Sequence, residues 1–87
     1  VDVAEAVGEI KGLIERGSIA SAESKLDQLR RNAPDNSAVA RLYLDLASVY
    51  FRKDNRSKEK QAYQSFLQMK PDGERAKEVR SILESRF

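Results

Sequence analysis

Apolar side chains recur along the chain at steps of three and four residues, which is the spacing of one face of an α-helix. One such stripe lies in residues 2–16, a second follows Ser18, and three more lie in residues 38–53, 57–69 and 74–86. No segment alternates apolar and polar positions over a useful length, so the pattern predicts no strands. The sequence therefore predicts an all-α fold of about five helices.

Residues that end helices or form turns separate the five stripes. Gly17 can adopt the left-handed conformation that closes a helix, and Pro34 disfavours helical geometry in the residue before it. Asp54 and Asn55 end the third segment before the fourth begins, and the turn at residues 71–73 ends the fourth. Connections this short favour antiparallel neighbours, so the helices are expected to form hairpins.

A spaced motif lies in the second half of the chain. A large residue, a leucine, a small residue and a tyrosine are followed by a second aromatic and a proline, at Tyr43, Leu46, Ala47, Tyr50, Tyr63 and Pro71. On these residues the chain resembles the tetratricopeptide repeat (TPR) family, whose repeat spans about 34 residues. The resemblance implies a single domain over residues 1–87, a TPR-like right-handed superhelix of antiparallel helix pairs. Repeat 1 would cover about residues 3–36, repeat 2 about 37–71, and a capping helix about 74–86.

Two positions depart from the family pattern. Glu59 and Phe66 stand where the family usually has alanine. Either the second helix pair opens to accept Phe66, or the register of that helix differs by a turn. The first repeat matches less well, through little more than Gly17, Ala22 and Pro34. A generic helical bundle without a superhelical groove therefore remains an alternative. In either fold the three tyrosines are expected to pack in the core.

The composition removes most catalytic chemistry. The chain contains no Cys and no His, which excludes disulfides, thiolate nucleophiles and imidazole bases. Its four glycines are dispersed, so they form no phosphate-binding loop. Asp45 is the acid most worth considering, but it has no companion acid on its helical face. We expect no catalytic residues, no metal and no cofactor. Gly8 and Gly12 form a G-x-x-x-G spacing that predicts a close approach of the first helix to a neighbour.

A partner-binding surface is expected on the first helix of each pair, because these helices line the concave face in TPR arrays. The predicted concave stripe consists of Val7, Lys11, Ile14, Arg41, Leu44, Asp45, Ser48, Phe51 and Arg52. It combines apolar residues and arginines, which suit burial against a protein partner. The alternative is that Phe51 and Ile14 pack beneath the neighbouring helix. Asp45 and Ser48 replace the basic or amide groups of a carboxylate clamp, which disfavours a receptor for chaperone tails.

The charges suggest a second hypothesis. The net charge is +2, but residues 1–29 carry −3 and residues 30–87 carry +5. Residues 52–60 hold five bases and two acids, which makes a nucleic-acid-binding corner the alternative function. It is disfavoured because no interleaved aromatic platform accompanies the bases. The leading prediction is a non-catalytic interaction or scaffold module for a protein or peptide.

The sequence says less about the oligomeric state, the origin and the compartment of the chain. Two repeats are fewer than the three or so that usually form a stable stack. The sequence therefore predicts either that the chain self-associates, as a homo-oligomer or structural bundle, or that it was cut from a longer array. The start at Val1 is typical of a processed chain or a fragment. No apolar run approaches the roughly 20 residues that span a bilayer. Bacterial members of the family often belong to larger secretion, pilus or exopolysaccharide assemblies. The sequence leaves the partner and the compartment, cytoplasmic or periplasmic, open.

Overall fold

A computed structural model describes residues 2–87, and these residues form five helices and no strand. The helices are α1 (Val3–Glu15), α2 (Ile19–Asn32), α3 (Ser37–Arg52), α4 (Arg56–Met69) and α5 (Glu74–Arg86). The all-α prediction and its helical hairpins are thereby confirmed. None of these five helices has the length and apolarity that a bilayer crossing requires.

Side-chain caps lie at three of the five helix starts. The side chains of Asp2, Asn36 and Asn55 accept backbone N–H groups at the starts of α1, α3 and α4. Gly17, after α1, has a φ of +82°, the left-handed conformation that glycine adopts at little cost. Asp54, between α3 and α4, also has a positive φ, of +57°. The turns therefore fall where the sequence predicted them.

Helix α3 lies at the centre of the packing. It packs against α1, α2 and α4, whereas α5 packs against α4. Eight of its sixteen residues are buried, which is more than any other helix contributes: Val39, Ala40, Leu42, Tyr43, Leu46, Ala47, Val49 and Tyr50. Side chains of α2 also reach α4, since Arg30 donates a hydrogen bond of 2.7 Å to Gln68. Helices α2 and α4 therefore lie on the same side of α3.

The two glycines of α1 do not provide a close helix approach. A Cβ atom built on Gly8 or Gly12 would have no atom within 4 Å outside the helix's own backbone. The prediction from their G-x-x-x-G spacing was therefore wrong. The spacing alone is uninformative here because α1 turns these positions away from α2 and α3.

Both departures from the repeat pattern face the core. Phe66 is buried, and Glu59 is 1% exposed, the one buried charged residue among residues 2–87. Together with Ala62 and Met69 they form the buried face of α4. Tyr43 and Tyr50 are buried, as predicted, and Tyr63 is half-buried against the core.

Candidate functional site

A groove of about 450 Å³ runs between α1 and α3. Both helices contribute to its lining, which consists of Lys11, Ile14, Glu15, Asp45, Ser48, Val49 and Arg52. Five of these belong to the predicted concave stripe. The structure therefore brings Lys11 and Ile14 of α1 together with Asp45, Ser48 and Arg52 of α3.

Helical spacing explains why these side chains converge. Successive residues of an α-helix are rotated by about 100°, so Asp45, Ser48 and Arg52 fall within an arc of about 60°. The opposite face of α3 carries its buried residues, which fixes the exposed arc toward the groove. On α1, Ile14 packs partly against the core and forms an apolar side of the groove.

The groove carries balanced charge that is not neutralised internally. Two bases, Lys11 and Arg52, face two acids, Glu15 and Asp45. Within residues 2–87, none of these four side chains forms an ion pair within 4.0 Å. Their charges are therefore available to a partner.

Asp45 has a perturbed acidity. Neighbouring protein atoms displace part of its hydration, which raises the pKa of this carboxyl, and the positive charge of Lys11 partly opposes the effect. A hydrogen-bond donor or a cation from a partner would compensate the lost hydration. Asp45 is therefore a favourable position for a polar contact.

The other four residues of the predicted stripe lie elsewhere. Val7 is buried in the core, and Leu44 is half-buried against it. Arg41 lines a separate depression at the start of α5, together with Phe66. Phe51 lies in the last turn of α3, where Arg86 of α5 covers one face of its ring, and the side chain is 57% exposed. It does not pack beneath a neighbouring helix.

A polar network between α2 and α3 was missed by the sequence analysis. The hydroxyl of Tyr43 donates to Asp27 at 2.7 Å, and the hydroxyl of Tyr50 donates to Glu23. Lys58 of α4 also donates to Glu23, at 3.2 Å. The four-residue step from Glu23 to Asp27 and the seven-residue step between the tyrosines place both pairs along facing helix stripes. These two helical spacings, each of which keeps its residues on one face, were the available signal.

The network shifts the ionisation of its members. Burial alone would raise the pKa of Glu23, but hydrogen bonds from Tyr50 and Lys58 and the charge of Lys58 outweigh it and lower the pKa. Burial, followed by the hydrogen bonds to the two acids, raises the pKa of both tyrosines. The hydroxyls stay protonated and act as fixed donors that join α3 to α2.

The described residues contain no group of three acidic side chains able to hold a metal ion. Comparisons with protein-family models, curated proteins and solved structures each found no match for the chain. The candidate site therefore rests on the helical hairpins and the side chains that line the α1–α3 groove.

Proposed function

We propose that the chain is a non-catalytic interaction module that binds a peptide or helix of a partner protein in the α1–α3 groove. The observation that carries this proposal is the convergence of Lys11, Ile14, Asp45, Ser48 and Arg52 on one groove. An apolar wall beside unpaired charges of both signs suits a polypeptide, which offers apolar side chains together with polar groups.

The TPR resemblance supports the same proposal. Successive antiparallel hairpins, with α1 packed on α3, agree with the arrangement in which the first helices of a repeat array share one surface. We propose that α1 and α2 form the first repeat, α3 and α4 the second, and α5 the capping helix. The groove would then lie on the concave face.

Catalysis has little support in the groove. Without Cys or His, the acids Glu15 and Asp45 would have to act as a general acid–base pair. They lie beside two cations in an open groove, and no enclosed cavity surrounds them. Surface recognition needs none of this machinery.

The alternative of a nucleic-acid-binding corner at residues 52–60 is less well supported. Three of its five bases are directed to different sides of the molecule: Arg52 lines the α1–α3 groove, Arg56 contacts α5, and Lys58 pairs with Glu23 of α2. A phosphate backbone requires neighbouring cations along one path. The dispersed bases favour the protein-binding proposal.

Selection from a displayed library of random peptides tests the proposed groove. Counter-selection against the Ser48→Arg variant should leave a class of peptides that bind this variant at least about tenfold more weakly than the wild-type chain, because the new side chain fills the groove. Ser48 is exposed, so the substitution should leave the fold intact. Lys60→Gln, at an exposed position of α4 outside the groove, is the matched control. Equal binding of every retained peptide to wild type and Ser48→Arg would refute the proposed site.

A further inference from the structure

Phe51 stands out on the surface of the molecule. It is the only large apolar side chain of residues 2–87 that is exposed, with 57% of its surface accessible. It lies at the last turn of α3, where it lines a depression of about 340 Å³ with Asp54, Arg56, Glu59 and Arg86. We name these five residues the Phe51 corner.

Arg86 is held in a fixed position at this corner. Both of its terminal nitrogens donate to the carboxylate of the buried Glu59, one of them at 3.2 Å. The guanidinium carbon lies 4.6 Å from the centroid of the Phe51 ring. A paired guanidinium over an aromatic face has lost much of its rotational freedom before any partner arrives. Ordering it on binding therefore costs little.

Arg56 is a second positioned cation. Its guanidinium donates to the backbone carbonyl of Arg86 and lies 5.4 Å from the ring centroid of Phe87. No carboxylate of residues 2–87 lies within 4.0 Å of it. Its charge is therefore oriented but not neutralised, next to the exposed Phe51.

We propose that the Phe51 corner binds an acidic peptide segment of a partner protein, with an apolar side chain of the peptide against Phe51 and a carboxylate at Arg56. Aromatic residues and arginines are the types that most often dominate protein interfaces. Within the corner Glu59 is paired with Arg86, which leaves Arg56 and Asp54 without an ion pair. The exposed Lys53 next to Asp54 adds a second free base, so the free charges favour an acidic segment.

A nucleic acid fits this corner less well. Asp54 is exposed between the flanking bases, and Glu59 already neutralises Arg86. A run of phosphates would meet the carboxylate of Asp54, whereas a peptide can place one carboxylate at Arg56 and avoid it. The observations therefore favour the peptide.

The corner is separate from the groove of the proposed function. Phe51 and Arg52 are consecutive on α3, and the rotation of about 100° between them directs one toward α5 and the other toward α1. Binding at the corner does not require binding in the groove, and each surface can be changed alone.

A random displayed peptide library provides the test, with counter-selection against the Phe51→Ala variant. Peptides retained by wild type and lost on Phe51→Ala should be enriched in Asp or Glu together with an apolar residue. The most enriched peptide should lose at least about tenfold in affinity on Arg56→Gln, or when its acids are changed to amides. It should bind Lys60→Gln and the groove variant Ser48→Arg as it binds wild type.

Several results would overturn the proposal. The first is that no selected peptide loses binding to Phe51→Ala, and the second is that the selected peptides are not enriched in Asp or Glu. The third is that a single-stranded oligothymidylate binds more tightly than the selected peptide at the same salt concentration. Phe51→Ala should still unfold cooperatively, since the ring is 57% exposed and its removal leaves the Glu59–Arg86 pair in place. Loss of binding on Ser48→Arg alone would instead place the peptide in the groove.

Discussion

Removing Arg86 should show how strongly α5 is tied to α4. The Arg86→Met variant keeps much of the aliphatic bulk but removes the charge that compensates Glu59. Because Glu59 is 1% exposed, its carboxylate would be left without water and without a cation. The expected result is a clear loss of unfolding free energy.

The magnitude follows from two limits. Breaking a fully buried ion pair costs about 3–5 kcal/mol. A buried carboxylate can instead take up a proton, which for an ordinary glutamate at neutral pH costs about 3.7 kcal/mol and sets a ceiling. Arg86 is itself 35% exposed, so the pair is partly screened and the loss should be about 2–3 kcal/mol. A domain of this size has about 4–13 kcal/mol, so the variant should still fold.

Urea unfolding at neutral pH, followed by far-ultraviolet circular dichroism, measures this loss. Lys77→Met is the matched control, because Lys77 is exposed on α5 and its pairing with Glu74, at 3.8 Å, is on the surface. It should change the unfolding free energy by no more than about 0.5 kcal/mol. The double variant Glu59→Leu/Arg86→Met should be at least about 1 kcal/mol more stable than Arg86→Met, since the uncompensated carboxylate is gone.

A loss below about 1 kcal/mol for Arg86→Met would refute this reasoning. It would mean that the last turn of α5 opens and admits water to Glu59 at little cost. A double variant no more stable than Arg86→Met would also contradict it, because the loss would then come from the contacts of Arg86 with Phe51 and Phe87.

Three further predictions concern the hairpins. Tyr50→Phe should cost about 1.5 kcal/mol in urea unfolding, because the ionised Glu23 loses a buried donor; an unchanged midpoint would contradict the α2–α3 network. Folding lowers the pKa of Glu23 from 4.5, so the stabilisation by its carboxylate is present above that pH and is lost as the pH falls through the folded-state pKa. The Glu23→Gln variant should therefore lose less unfolding free energy than wild type between neutral pH and about pH 3. An equal loss in both proteins would contradict this assignment. Gly17→Ala should lower the thermal midpoint because φ is +82°, with a cost of about 1 kcal/mol, whereas Gly12→Ala within α1 should raise it; the same sign for both would contradict the backbone assignment.

The helices could be predicted from the sequence because their limits depend on local chemistry. Gly17 closes α1 through its own backbone, and Asn36 caps α3 through an amide oxygen only two and three residues away from its donors. The apolar spacing likewise assigned the buried face of α3. Such signals lie within one turn of the chain, so no tertiary information is needed.

The candidate surfaces could be predicted only in part, since they depend on how the helices are rotated against one another. The pattern placed Asp45, Ser48 and Arg52 on one exposed stripe, and they do line one groove. It also assigned Phe51 to that stripe, although α5 sets a different environment on its side of α3. The pairing of Glu59 with Arg86 joins residues 27 positions apart, and no local pattern encodes it.

The central position of α3 explains why both proposed surfaces lie on it. Half of its residues are buried against three other helices, and the exposed residues share the remaining arc of the helix. One edge of that arc, at Asp45 and Arg52, faces α1, and the other, at Phe51, faces α5. A substitution on this arc would alter the proposed surfaces without changing the core, because the buried face lies on the opposite side of the helix. Binding variants of Ser48 and Phe51 can therefore be interpreted separately from stability, which is not true of Val7 or Leu44.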